Sequence, residues 1–482
     1  MLFNSIDFAV FLPIVFLLYW FVFKDRVKAQ NALIAISSYV FYGWWDWRFL
    51  SLILFSTIVD YSIGRILMTE KNQSKRKLIL WISILVNLGF LGFFKYYNFF
   101  LDNFISAFSF LGYSIQSNSL NIILPVGISF YTFQTMSYTI DVYRQKLIPT
   151  RDFVAFTAFV SFFPQLVAGP IERASNLLPQ FYKQREFDYK LSVEGLRQIL
   201  WGLFKKAVIA DNCAEYANII FNSSEDLSGS SLVIGALFFT FQIYGDFSGY
   251  SDIAIGTSRL FGFNLMKNFA FPYFSRDIAE FWRRWHISLS TWFRDYLYIP
   301  LGGSRGGRWM KVRNTFVIFL VSGFWHGANW TFVLWGAINA LYFLPLLMRG
   351  NNRNNMDVVA QNSVLPSFKE LTKVLITFAM SVVAWIFFRS DSLTQAFSIL
   401  NEIFSDSLFT IPDFPLRHKA FYFIPLVIVF ILFEWIGRRE EFALSRIELK
   451  WKRTYRYIVY YSILIAIVTY AGQEQQFIYF QF

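Results

Sequence analysis

Residues 1–26 read MLFNSIDFAVFLPIVFLLYWFVFKDR, with no charged side chain between Asp7 and Lys24. No basic segment precedes the apolar run and no small-residue cleavage site follows it, so the stretch reads as a retained helix and not as a secretory leader. The rest of the chain repeats this pattern. The 482 residues are 55% hydrophobic, 21% aromatic and 16% charged, against about a quarter charged in an ordinary soluble domain. Further apolar runs lie at 49–68, 78–94, 152–168, 231–244, 314–348, 370–388, 420–436 and 456–471. About twenty apolar residues make one bilayer crossing, which predicts an all-α, multi-pass integral membrane protein with roughly 10–12 transmembrane helices. No linker or internal repeat divides the chain, so residues 1–482 are expected to form a single transmembrane domain.

Several runs are interrupted by Pro and Gly, as in NIILPVGISFYTFQTMSY (121–138) and around Gly245. Such breaks predict re-entrant or half-crossing helices, because non-helical backbone survives at membrane depth only where protein or a wet cavity satisfies its polar groups. The short basic loops at 24–28 and 70–77 are separated by two crossings if 31–43 counts as a short one. That parity puts both loops on the cytoplasmic side and the N-terminus outside. The net charge of +12 is then an orientation signal and an attraction to anionic membrane lipid, and no nucleic-acid partner is expected. Cys213 is the one cysteine, which excludes an intramolecular disulfide, a cysteine metal cluster and a paired redox motif.

A charge at the bilayer centre costs about 2.5–3.5 kcal/mol even on the lenient insertion scale, so intramembrane polar residues need partners or a purpose. In FFPQLVAGPIER (162–173), Glu172 and Arg173 follow Pro164, Gly169 and Pro170, as a capped helix end or as part of a site. In FQIYGDFSGYSDIAIG (241–256), helical spacing sets Asp246 with Tyr250 and Ser248 with Asp252 in adjacent rows. Ser248 lies in Gly-x-x-Ser-Gly, not in the Gly-x-Ser-x-Gly elbow of hydrolases, and interhelical hydrogen bonding fits it better than nucleophilic work. In FWRRWHISLSTWFRDYLYIPLGGSRGGRWMKVR (281–313), Trp282, His286 and Ser290 would share one helix face, with Arg283, Arg294 and Asp295 on others. Pro300, Gly302 and Gly303 end that helix. Arg305, Arg308, Lys311 and Arg313 follow, suited to lipid headgroups or to the phosphates of a cosubstrate.

The fourth cluster is VSGFWHGANWTFVLWG (321–336), where His326 lies between Gly323 and Gly327, with Trp325 before it and Asn329 and Trp330 after. An unpartnered imidazole in lipid is costly, and any hydrophobe would pack there more simply. The glycines would let backbone or substrate approach closely. Of the three histidines, His418 reads as interfacial among cations. His286 and His326 stand outside any zinc-binding motif, so no metal site is expected, and no Walker-type phosphate loop occurs. What remains for a lone imidazole in a membrane cavity is general-base work: taking the proton of a hydroxyl as that oxygen attacks an activated carbonyl. A glycan or lipid transporter is the rival from another class, since broken helices and buried polar residues also mark transport paths.

The chain resembles the membrane-bound O-acyltransferase family, in particular its bacterial branch of alginate O-acetyltransferase-like proteins. The resemblance is carried by FVSFFPQLVAGPIER (159–173), QIYGDFSGYSDIAIG (242–256), RDIAEFWRRWHISLSTWFRDYLYIPLGGSRGG (276–307), FWHGANWTFVLWG (324–336) and the ending FIYFQF (477–482). It implies helices around a central funnel or tunnel, His326 as catalytic histidine and His286 as a second histidine facing the tunnel. Arg283, Arg294, Asp295, Asp246, Ser248, Asp252, Asn329 and Trp325 would support the wall. It also implies an acetyl group passed from a cytoplasmic donor, acetyl-CoA with no bound cofactor, to an extracytoplasmic polysaccharide. That transfer would run across the bacterial cytoplasmic membrane, directly or through a periplasmic SGNH-type acetyltransferase partner. The basic loop, through Arg305, Arg308 and Lys311, would meet the donor's phosphates. Within the family, transfer of D-alanine to teichoic acid is the alternative.

Overall fold

A computed structural model describes residues 1–110, 120, 122–447, 451–470, 475, 477 and 478. Among them there are helices and loops and no β-strand. Six helices are long and apolar enough to cross a membrane: Trp47–Thr69, Gln73–Phe110, Gly229–Leu260, Trp330–Met348, Phe368–Arg389 and Arg417–Gly437. The protein is therefore an all-α, multi-pass membrane protein. The opening stretch forms a shorter apolar helix, Ile6–Val22, started by Ser5, whose side chain accepts from the Phe8 N–H. The same chemistry starts other helices: Asn72, Asp152, Asp277, Asn329 and Ser392 each cap a helix with a side-chain oxygen. Ser367 and Glu370 form a reciprocal capping box at the head of Phe368–Arg389.

The chain folds into two compact units, one of residues 1–195 with 257–266, the other of 196–256 with 267–482. In the first, Tyr19 and Trp20 donate to the carbonyls of Phe261 and Leu260 at 3.1 and 2.9 Å, and Arg185 donates to Gln30 and Asn31 at 3.2 and 2.8 Å. The break expected near residue 125 is real. Gly127, at φ +74°, starts the helix Ile128–Tyr143, whose residues through Val142 are all buried. A side chain there would be strained by the left-handed backbone and would meet the Leu166 carbonyl.

In the second unit, the break expected at Gly245 does not occur, because Gly229–Leu260 is one 32-residue helix. Gly245 and Gly249 serve packing instead: a Cβ would lie 2.9 Å from the Lys205 carbonyl at one and 2.8 Å from the Gly202 carbonyl at the other. Small residues four apart let two backbones touch. The segment against them, Phe204–Ala210, is a π-helical turn. That geometry often marks functional positions, and here it carries Lys205 and Lys206 into the interior.

Candidate active site

The helix expected to run through His286 is interrupted. Ile278–Arg284 ends at Trp285, which is extended, and His286 adopts a left-handed conformation (φ 44°, ψ 54°) before Ile287–Phe293 begins. Trp282, His286 and Ser290 therefore do not share one helix face. A non-glycine residue at positive φ is held there only by its surroundings. Those surroundings are specific: Asn268 Oδ1 lies 3.2 Å from His286 Nδ1 and accepts from the Ser288 hydroxyl at 2.9 Å and the Ser288 backbone N–H at 3.3 Å. Asn268 Nδ2 donates to Ser251 at 3.0 Å.

This network favours the tautomer protonated at Nδ1, with the Ser288 hydroxyl a longer contact of the same nitrogen at 3.4 Å. A backbone N–H can only donate, so the Asn268 atom it meets is the oxygen, and His286 Nδ1 must carry a proton to bond to that oxygen. The lone pair then resides on Nε2. His286 is 1% exposed, with the Phe247 ring edge-on at 4.5 Å, and burial pushes its pKa well below the ordinary imidazole value. The ring is neutral and oriented, as a hydrogen-bond acceptor or base must be.

His326 is the last residue of the helix Arg308–His326. It is 4% exposed and bounded by Trp325, Trp335 and Phe388 at centroid distances of 4.9, 5.2 and 5.3 Å. Trp325 lies next to both imidazoles, its ring 6.3 Å from that of His286. The two histidines thus share an aromatic wall, continued by the stacked pair Trp335 and Trp385 at 5.8 Å. His326 sits at the carbonyl end of its helix, where the backbone favours positive charge, so an imidazolium at this position would be stabilised.

The glycines around His326 turn out to serve the backbone. A Cβ on Gly323 would collide with the Phe332 carbonyl, and one on Gly336 with the Phe319 carbonyl, whereas one on Gly327 would meet the Phe332 ring. They let Arg308–His326 and Trp330–Met348 pack as a close hairpin. Asn329 caps the second of these helices, accepting from Thr331 N–H at 3.0 Å and donating to the Asp391 carbonyl at 2.9 Å.

The remaining expected residues separate. Arg283 clamps a loop through the Asn352 and Asn355 carbonyls, both at 2.7 Å. Arg294 pairs with its neighbour Asp295 at 2.7 Å, with the arginine side chain 58% exposed, so this pair forms no part of the aromatic wall around the histidines. Asp246 and Asp252 are buried in ion pairs: Lys206 to Asp246 at 2.8 Å and to Asp211 at 2.8 Å, Lys205 to Asp252 at 2.6 Å. Asp246 also accepts from the Ile478 N–H at 2.8 Å. Of the ending 477–482, Phe477 and Ile478 are described and the remainder lies outside the described residues. Ser248 is buried, and its hydroxyl has no hydrogen-bond partner among the described residues. Arg305 and Arg308 are exposed and Lys311 is half-buried.

Sequence reasoning missed Asn268, Ser288, Lys205, Lys206 and Glu434. Two adjacent lysines in an otherwise apolar stretch were a legible signal of intramembrane pairing. Asn268 carried none, since only the fold brings it to His286. Glu434, at the end of an apolar helix, accepts from Trp201 at 3.0 Å and Tyr244 at 2.5 Å.

The model of the membrane-bound O-acyltransferase family matches residues 142–388, a range that contains both histidines, Asn268 and the paired lysines. The chain belongs to the membrane-bound O-acyltransferase family. It is 40% identical to a probable alginate O-acetylase AlgI of Pseudomonas aeruginosa over 410 residues, covering 84% of this chain and 75% of the relative. It is 33% identical to a peptidoglycan O-acetyltransferase of Helicobacter pylori, covering 100% of this chain and 98% of the relative. A teichoic acid D-alanyltransferase of Streptococcus thermophilus is 30% identical over 45% of this chain and 55% of its own length.

Proposed function

We propose that this protein transfers acetyl groups to a hydroxyl of an extracytoplasmic polysaccharide from the bacterial cytoplasmic membrane, with His326 as general base. The observation that carries the reading is the pairing of two buried imidazoles against Trp325, one at a helix terminus and one held as a single neutral tautomer. In the proposed reaction His326 accepts the proton of the attacking hydroxyl as its oxygen bonds to the acyl carbon of a thioester. The carbon–sulfur bond then breaks, and the proton passes to the departing thiolate. His286, through Nε2, orients donor or acceptor. Acetyl-CoA is the donor of choice, and Arg305, Arg308 and Lys311 offer positive charge for its phosphates. The acceptor hydroxyl belongs to the polysaccharide itself or to a periplasmic SGNH-type partner that completes the transfer.

The likeness to a probable alginate O-acetylase over 84% of this chain and to a peptidoglycan O-acetyltransferase over all of it supports acetyl transfer to a polysaccharide. The shorter match to a D-alanyltransferase gives less support to that alternative. General acid–base groups contribute about 10²–10⁴-fold, so His326→Ala should bring acetylation of surface glycan, read by mass spectrometry of cells with equal membrane levels of the protein, close to background. Full activity in that variant would remove His326 from the mechanism.

A further inference from the structure

Asp60 lies within the apolar helix Trp47–Thr69 and is 0% exposed. Its interactions are all with neutral groups: among the described residues no lysine, arginine or histidine reaches its carboxyl. Ser83 Oγ donates to Asp60 Oδ1 at 2.6 Å and Asn87 Nδ2 donates to Oδ2 at 2.9 Å. Around these stand more oxygens. Thr139 Oγ1 is 3.0 Å from Ser83 Oγ, and Ser56 Oγ and Thr135 Oγ1 each lie 3.2 Å from Asn87 Oδ1. Three helices of the first unit supply them: Leu50–Thr69, Gln73–Leu91 and Ile128–Tyr143. One turn beyond Asp60, Gly64 admits the Tyr138 hydroxyl.

An ionised carboxylate in a bilayer interior demands a positive charge beside it. Neutral donors satisfy its lone pairs and leave the charge uncompensated. Hydroxyl, amide and carboxylate oxygens are hard ligands, suited to a hard cation. A single carboxylate balances a monovalent ion, whereas a divalent ion would leave a net buried positive charge. Asn87 keeps its amide oxygen toward Ser56 and Thr135, because its Nδ2 also donates to the Ser83 carbonyl at 3.0 Å.

We propose that the Asp60 cluster is a sodium site that ties these three helices together, formed by the Asp60 carboxylate and the hydroxyls of Ser83, Thr139, Ser56 and Thr135. This inference is independent of the acetyl-transfer reading. The test uses the purified full-length protein in nanodiscs, with sodium chloride replacing N-methylglucamine chloride at constant ionic strength and pH. A ligand that binds only the folded state raises its thermal midpoint with concentration. A saturable rise with sodium, weaker with potassium and absent in Asp60→Asn, is expected. Should Asp60→Asn not fold, Thr139→Val, which removes one ligand and leaves the carboxylate, should shift the sodium titration to higher concentration, and the wild-type protein should bind radioactive sodium. A midpoint indifferent to sodium, or equally dependent on it in both variants, overturns the site. A midpoint that follows pH and not sodium overturns it in favour of a proton.

Discussion

Arg308 and His326 begin and end a single helix of 19 residues. At 1.5 Å per residue they stand about 27 Å apart. The basic loop and the candidate base thus stand at opposite ends of one helix, so under the proposed function a change at Arg308 would act on donor approach and not on proton transfer at His326.

Replacing Arg305 and Arg308 together by Gln should raise the apparent KM for acetyl-CoA roughly tenfold while kcat changes little, with the wild-type affinity falling as salt rises. Steady-state kinetics at two ionic strengths checks both. An unchanged donor KM would remove the loop from donor binding.

Asn268 Oδ1 lies 3.2 Å from His286 Nδ1, and replacement of Asn268 should act through that ring. Asn268→Asp puts a carboxylate beside Nδ1, which favours the imidazolium and raises the His286 pKa from its depressed value. Activity that needs the neutral ring is then lost at higher pH than in the wild type, so the acidic limb of the rate–pH profile should move upward. Asn268→Ala should lower kcat by about 10–100-fold, as loss of an orienting partner does elsewhere, with no such upward shift.

Lys206 bridges Asp246 and Asp211 in the interior. Lys206→Met leaves two buried carboxylates without their cation, which costs about 3–5 kcal/mol for a broken buried pair. Detergent-solubilised protein should show a lowered thermal midpoint. Adding Asp246→Asn should recover part of the loss, and a double-mutant cycle measures the coupling.

Gly323→Ala should destabilise the hairpin that presents His326, because the new methyl meets the Phe332 carbonyl. Overpacking of this kind costs about 1–3 kcal/mol. Size-exclusion profiles after a heat step should show the loss, and activity should fall with the folded fraction.

The apolar runs, the helix caps and the isolation of His326 among aromatics are local properties, written in composition and spacing. Hydropathy acts over a few residues, so the sequence by itself determined the membrane class and the two histidines worth following, and it held the local capping chemistry that the fold uses at Ser5, Asn329 and Ser367. Tertiary structure alone decided how those groups meet. The left-handed turn at His286 is stabilised by Asn268, eighteen residues away, and no spacing rule joins them. Gly245 looked like a helix breaker until the Gly202–Lys206 backbone packed against it and Gly249 explained their size. Asp246 and Asp252 looked like cavity residues until Lys205 and Lys206 claimed them. In each case the deciding partner is distant in sequence, and only packing brings it within the few ångströms over which hydrogen bonds, ion pairs and steric exclusion operate.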